Sequence, residues 1–577
     1  MNKSVFYQYN KKAKIKDVVF TPIEGVKLGE GLFNKVFNRN ISFLISFKLE
    51  DLSYWFDVKA GRKAKGNPYR GHFEDNLKGQ TAFEVLMGAG NALRWGKDEN
   101  LEKIVDDIIQ IIEETSDKDG YCMAIDRKFF ARREYPHYVR IWLTYGLLAV
   151  AYSGSGKGLE ILERWQKWFN SSRELPIIKY LELAFQGIVA STAAYFSPIG
   201  SKRDLEVVEQ YYEEDWRLAQ FMRMEPNCIQ KRIQPGLEPH AHGSEIESLE
   251  GYLDMFRATG AYYYLDSVMG AIEMYKKHWQ HAGGGIVMCE FLDSEEDSYI
   301  LDPSQPYNEL CCSSFWLYLH QRLHRLFPNV EEYVGQIESS LYNIAIANQN
   351  EDKTIRYFAV LEGCKEKGMV NSCCAGVGTR IYGSLPEFIF SVNENDIYVD
   401  IYSSATLSHE KAKIQIETDM PYSYMVNVSV LNVKGPFKLH LRIPSWVKAP
   451  FEISGKLVTP GSYCEFDITK DCNFSFTFPV NMIPHLYEGK ESIPGYKRVG
   501  YLYGPLLLSF VGPKEYRYGK IFSLTMEGYD SKAPETWLEP TDKPLVWKVK
   551  GKKDAYLMPY MDIGCNKNFV TYPIFNN

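Results

Sequence analysis

Residues 101–115 read LEKIVDDIIQIIEET, with Leu101, Ile104, Val105, Ile108, Ile109 and Ile112 recurring three or four apart. That period places the six on one face of an α-helix. The same test predicts helices near 83–96, 138–152, 158–170, 182–196, 204–222, 244–259, 263–279, 309–327, 330–347 and 375–388, with another near 34–50. Their joints repeat a pattern in which a Gly closes one helix and a Leu opens the next: Gly96 to Leu101, Gly156 to Leu159, Gly200 to Leu205 and Gly260 to Leu265. Glycine suits the left-handed residue that ends a helix. A helix pair recurring at roughly 50 residues signals a solenoid or a toroid. About six such pairs predict closure into an (α/α)6 barrel.

The pattern changes near residue 392. Segments such as DIYVDIYSSATL, AKIQIETDM, YMVNVSVLNV, FKLHLRIPS and NFSFTFPV carry β-branched and aromatic residues between turn signals. A second β unit is predicted from about 486, at KRVGYLYGPLLLSFVG. Helices followed by strands imply separate units. The expected architecture is multidomain α+β: a barrel over 1–392, then β-sandwiches over 393–485 and 486–577.

Composition narrows the function classes. The 577 residues are 45% hydrophobic and 24% charged, which excludes a disordered chain. A net charge of −7 without a long basic run argues against nucleic acid as partner. No segment approaches 18 uninterrupted apolar residues, so no membrane-spanning helix is expected. The N-terminal MNKSVFYQYNKKAKIKDVVF is basic and lacks the apolar stretch of a secretory signal, and the chain is expected to be cytoplasmic. Ser153-Gly154-Ser155-Gly156-Lys157-Gly158 imitates a phosphate loop but lacks the required first Gly and the Ser or Thr after Lys; it reads as a turn between helices.

Three constellations carry possible chemistry. Glu309-Leu310-Cys311-Cys312 is followed by Cys373-Cys374, 62 residues beyond the first cysteine. Three thiolates and a carboxylate can complete a tetrahedral zinc site, and four buried cysteines can also be plain core residues; the residues alone leave both readings open. Glu290 follows the turn Gly283-Gly284-Gly285 inside the apolar run IVMCEF, where a carboxyl can serve as an acid or lie on the surface. His240 and His242, in Pro239-His240-Ala241-His242-Gly243, precede a helix and suit metal, sugar hydroxyls or a structural role.

Taken together and in order, these motifs resemble the β-L-arabinofuranosidase family of glycoside hydrolases (family 127, related to family 146). The resemblance runs nearly the whole chain and implies a barrel followed by two β-sandwiches. It implies zinc held by Glu309, Cys311, Cys373 and Cys374, with Cys373 as nucleophile. It implies Glu290, 19 residues before Glu309, as the general acid/base. Glu338 in Glu338-Ser339-Ser340-Leu341-Tyr342-Asn343, Tyr357, His240 and His242 match positions that serve the sugar in the family. The chain departs from the family where Ala375-Gly376 follows the cysteine pair in place of Pro. Two family histidines are missing, near Trp142 and near Phe185-Gln186, and Arg140 beside the first gap suggests a reader of a carboxylated sugar. The expected function is retaining hydrolysis that releases a terminal sugar, L-arabinofuranose or a related one, from a small oligosaccharide or glycoside. A homodimer through the β units is compatible with this. A lyase or unsaturated-uronide hydrolase on the same barrel, and a non-catalytic zinc protein that binds sugar, are the alternatives.

Overall fold

Burial divides the helices into two kinds. The structure, a computed structural model, describes residues 11–68, 77–130, 135–171, 187–212, 217–225, 245–286, 308–365, 367–368, 372–489, 494–512, 517–518, 521–522 and 524–576. In chain order its helices are α1 (Leu32–Ile45), α2 (Leu49–Lys59), α3 (Gln80–Leu93), α4 (Glu99–Thr115), α5 (Tyr135–Val150), α6 (Lys157–Ser171), α7 (Gly187–Phe196), α8 (Lys202–Tyr212), α9 (Arg217–Met222), α10 (Glu245–Thr259), α11 (Tyr262–His278), α12 (Leu310–Leu326), α13 (Glu331–Ser340) and α14 (Cys373–Ser384). Helix α4 is the stretch first quoted. It buries Leu101, Val105, Ile108, Ile109, Ile112 and Thr115 and no other side chain, as an outer helix must. Asp98 caps it by accepting from the amides of Asn100 and Leu101, both at 3.0 Å. Helix α3, by contrast, is buried at every residue, and α12 at every residue but Arg325.

The buried helices form a ring. Helix α3 packs on α5, α5 on α7, α7 on α10, α10 on α12 and α12 on α14, and α14 returns to α3. Helices α4, α6, α8, α11 and α13 lie outside α3, α5, α7, α10 and α12, and α1 lies against α14 and α3. The ring is tight at α3 because its glycines admit a neighbour on each side. A Cβ on Gly90 would stand 2.3 Å from the Ala149 carbonyl oxygen of α5, and one on Gly88 2.3 Å from Thr379 Oγ1 of α14. The inner helices run in one direction. Their first turns bring Glu84, Tyr138, Cys311 and Cys373 to one end. Their last turns bring Leu148, Phe196, Arg325 and Ser384 to the other.

Some expected helices differ in extent. The stretch near 34–50 is two helices, α1 and α2, because Ser46 Oγ bonds back to the Phe43 carbonyl at 2.6 Å and Lys48 is extended. The stretch near 204–222 contains α8 and α9. That near 375–388 is α14 followed by a tighter turn, Leu385–Phe388, which carries Pro386. The glycine run at 153–158 joins helix to helix, with Gly154 at φ 88°.

The strands follow the helices, with two short exceptions. One five-stranded sheet has the order Val26–Leu28, Ala405–Ser408, Lys413–Thr418, Met425–Leu431, Cys472–Thr477. A four-stranded sheet has the order Ser462–Ile468, Phe437–Ile443, Asp396–Val399, Phe390–Val392. Alternate residues such as Val426, Val428 and Val430 are buried. Phe466 of the second sheet meets Phe474 of the first with ring centres 4.5 Å apart. A larger C-terminal sheet is built on Tyr496–Tyr503 and Leu506–Val511 and takes in Glu362–Cys364, which pairs with Asn568–Val570. Val26–Leu28 and Glu362–Cys364 thus cross from the helical region into sheets formed by later residues.

Buried charge fastens helices to sheet. Arg442, with no exposed surface, donates to Glu331 Oε1 at 2.8 Å and to Glu338 Oε2 at 3.0 Å, both on α13. Removing one partner of a buried ion pair strands the other charges without water. Arg442→Leu is therefore expected to destabilise the protein by about 3–5 kcal/mol, read as a lower denaturant midpoint, and an unchanged midpoint would refute this.

Candidate active site and metal centre

Two helix starts meet at the amino-terminal end of the ring. Glu309 is the residue before α12, and Cys311 lies in that helix's first turn. Ser372 precedes α14, capping it through a 3.0 Å bond from the Ala375 amide, so Cys373 and Cys374 are the first two helical residues. Both helix ends present partial positive charge to these acidic side chains. An isolated antiparallel bridge between Glu309 and Phe358 ties the start of α12 to the segment that carries Tyr357: the Leu310 amide donates to the Tyr357 carbonyl at 3.0 Å, and the Ala359 amide to the Asn308 carbonyl at 3.1 Å.

One ligand atom from each of Glu309, Cys311, Cys373 and Cys374 lies within 4.8 Å of the others, and all four residues are buried. Cys374 Sγ is 3.2 Å from Cys311 Sγ and 3.6 Å from Glu309 Oε1. A zinc tetrahedron with bonds of about 2.3 Å to sulfur and about 2.0 Å to oxygen has edges of roughly 3.5–3.8 Å. The donor set and its spacing therefore fit zinc. Burial, and then the neighbouring thiols, push the Cys311 thiol far above the ordinary cysteine range; burial does the same to Cys374. Burial thus opposes ionisation of these two thiols, and a divalent ion at the centre would favour it.

Tyr357, one of the residues predicted to serve the sugar, lies beside the cluster with its hydroxyl 3.3 Å from Cys373 Sγ. Glu338 is placed differently: its Oε2 accepts from Arg442 and, at 2.8 Å, from Trp446 Nε1, so that oxygen is taken up by protein donors at the helix–sheet junction. Glu290, His240 and His242 lie outside the described residues. The glycine turn ahead of Glu290 is described, and it is anchored beside the centre. Gly284 has φ 79°, Asn343 Nδ2 donates to the Gly283 carbonyl at 3.0 Å, and a Cβ on Gly285 would stand 2.9 Å from Oδ1 of Asn308, the neighbour of Glu309. Arg140 does not read a sugar carboxylate as suggested above. Its guanidinium is turned toward the outer helices, 4.0 Å from the centre of the Phe169 ring, and bonds the Gly187 carbonyl.

Sequence reading missed three groups at this end. Tyr138, on the first turn of α5, is held far above the ordinary phenol range by burial and then by Cys373, Cys311, Glu84 and Glu247, which all face it. Glu84 lines α3 opposite Gly376, where a Cβ would stand 2.3 Å from its carboxyl carbon. Glu247 is fully buried, neither of its oxygens is hydrogen-bonded among the described residues, and burial, then Glu250, push its carboxyl well above the ordinary range. The helical period of α10 marks Glu247 as inward only once the ring's axis is known.

The model of the β-L-arabinofuranosidase GH127 catalytic domain matches residues 25–387, and that of the GH127 middle domain matches residues 396–466. The chain belongs to the GH127 β-L-arabinofuranosidase family. It is a glycoside hydrolase of that kind, and no curated protein matches it directly. Among solved structures, a GH127 β-arabinofuranosidase is 18% identical with a TM-score of 0.72, covering 97% of this chain and 98% of its own. The GH127 β-L-arabinofuranosidase from Geobacillus stearothermophilus T6 is 16% identical with a TM-score of 0.71, covering 96% and 99%. A further glycoside hydrolase is 16% identical with a TM-score of 0.68, covering 98% of each chain. At these identities the likeness is one of fold, and it extends over the full GH127 chain. Among the described residues no helix is long and apolar enough to cross a membrane.

Proposed function

We propose that this GH127 chain is a retaining, exo-acting glycosidase that releases terminal L-arabinofuranose or a related sugar from a small oligosaccharide or glycoside. The observation that carries the reading is the convergence of Glu309, Cys311, Cys373 and Cys374 within 4.8 Å at the amino-terminal end of the helix ring, with Tyr357 against Cys373. The ring of six inner and six outer helices supports an (α/α)6 barrel over 1–392, and the paired sheets support β-sandwich units over 393–485 and 486–577.

The four residues would hold Zn2+, which when bound keeps the buried thiols ionised near neutral pH. Cys373 Sγ attacks the anomeric carbon as the bond to the leaving oxygen breaks. Glu290 gives that oxygen its proton. The carboxylate of Glu290 then takes a proton from water, whose oxygen displaces sulfur from the anomeric carbon and frees the thiolate. Tyr357 holds the thiolate by its hydroxyl and contacts the bound sugar, with His240 and His242 completing the hydroxyl contacts.

Two tests address this. Purified protein is expected to hold about one zinc per chain and to cleave aryl β-L-arabinofuranosides ahead of other furanosides. Absence of zinc from a folded preparation would overturn the reading. Glu290→Gln is expected to slow natural glycosides by roughly 10²–10⁴-fold while sparing the glycosylation step of substrates whose leaving group needs no proton. Equal loss of the first-step burst on both substrate types would remove Glu290 as the acid.

A further inference from the structure

At the opposite end of the ring, a cavity of about 130 Å³ lies between the last turns of the inner helices and the segment that carries Asp17 and Ile23. It lies further along α14 than the cysteines: Cys373 opens the helix, and Arg380, about two turns on, and Ser384 at its last residue line the cavity. Arg380 is its distinctive wall. The guanidinium carbon lies 3.6 Å from the centre of the Tyr318 ring and 4.4 Å from that of Tyr145, so two aromatic faces fix the plane of the cation. Among the described residues Arg380 makes no hydrogen bond and no ion pair.

The acids around the cavity are already engaged. Glu387 pairs with Arg94 and accepts from Gln321 Nε2 at 3.1 Å. Glu250 pairs with Arg322. Asp254 lies 2.9 Å from Arg257 and 3.4 Å from Arg322, and Asp17 is 2.5 Å from Arg257. These carboxylates each have an arginine at hydrogen-bond or ion-pair distance, whereas Arg380 is reached by Glu250 and Glu247 only at longer range. Arg380 is half-buried, and its five N–H donors meet no protein acceptor at hydrogen-bond distance among the described residues. Its in-plane N–H fork is the geometry that carboxylate and phosphate oxygens satisfy.

We propose that this cavity is a binding site for a small oxyanion, carboxylate or phosphate in type, held by Arg380 and separate from the glycosidase centre. The lining also includes the apolar Ile23, Met87 and Ala149, so the site admits a compact anion with a short apolar part as readily as an inorganic one.

The full-length enzyme is titrated with inorganic phosphate, with selenate and with acetate, each at constant ionic strength, and binding is read by calorimetry and by the melting temperature. The expected result is a saturable rise in melting temperature for at least one of the three, absent in Arg380→Met, and reduced in Arg380→Lys, which keeps charge but loses the planar fork. Saturation by acetate alone identifies a carboxylate ligand, and saturation by phosphate or selenate a tetrahedral one. Crystals of the unaltered protein soaked in selenate give a check that needs no variant to fold: anomalous density is expected beside Arg380. A strictly linear, unsaturating response to all three anions with no density there, or saturation retained in Arg380→Met, would overturn the proposal.

Discussion

Cys373→Ser is expected to lower kcat by roughly 10⁴–10⁶-fold, the scale at which loss of a nucleophile leaves only binding and orientation. The chemistry sets that size. A serine hydroxyl ionises far less readily than a thiol, whereas a thiol gathered with two others and a carboxylate at a helix start is poised for ionisation once a cation is present. Substitution also removes the sulfur that Tyr357 faces at 3.3 Å. The measurement is initial rate on an aryl β-L-arabinofuranoside, with intact mass on Glu290→Gln protein after a short exposure to the same substrate. The Glu290→Gln enzyme should gain the mass of one sugar on the Cys373 peptide, and the doubly substituted Glu290→Gln, Cys373→Ser enzyme should gain none. A Cys373→Ser enzyme with near-normal kcat would sink the assignment of the nucleophile.

The fold was legible where a residue's surroundings depend on its own helix. Leu101, Val105 and Ile108 mark the inward stripe of α4 because the other face meets water, and the period survives in the sequence. Helix α3 has no such stripe: every residue is buried, and what decides its position is the pair of glycines, Gly88 and Gly90, whose partners lie on α14 and α5. The break between α1 and α2 rests on one side-chain bond at Ser46, too small a signal for a periodicity test. The three-residue strands Val26–Leu28 and Glu362–Cys364 are too short to alternate, and only their partners, Ala405–Ser408 and Asn568–Val570, make them strands. The site divides in the same way. Cysteine and glutamate spacing brought Glu309, Cys311, Cys373 and Cys374 into view because each pair is close in sequence, Glu309 and Cys311 two apart and Cys373 and Cys374 consecutive. Tyr138, Glu84 and Glu247 come from helices far apart in sequence, and closure of the ring alone brings Glu84, Glu247, Cys311 and Cys373 around Tyr138.

Glu309→Ala is expected to weaken zinc binding by at least roughly 100-fold, because a lost ligand costs more than the 10–100-fold of a lost supporting group. The effect should reach stability as well. A ligand that binds only the folded chain adds about 4 kcal/mol at a thousandfold excess over its Kd, so its loss appears as a lower melting temperature. Glu309 stands at the junction that makes this coupling strong. It precedes α12, its backbone pairs with Phe358 in the segment that presents Tyr357, and Cys374 of α14 lies 3.6 Å from its Oε1. Cys312 is the matched control. It is buried next to the centre, with Sγ 3.6 Å from the other oxygen of Glu309, and lies outside the four-ligand cluster. Cys312→Ala should therefore hold zinc as the unaltered protein does, whatever its cost in packing. The comparison is metal content by mass spectrometry after dialysis, together with melting curves in the presence and absence of chelator. Chelator should lower the melting temperature of the unaltered protein and of Cys312→Ala toward that of Glu309→Ala, and leave Glu309→Ala unmoved. Full zinc retention by Glu309→Ala would show that the carboxylate is not a ligand, and equal chelator sensitivity in all three proteins would place the metal elsewhere.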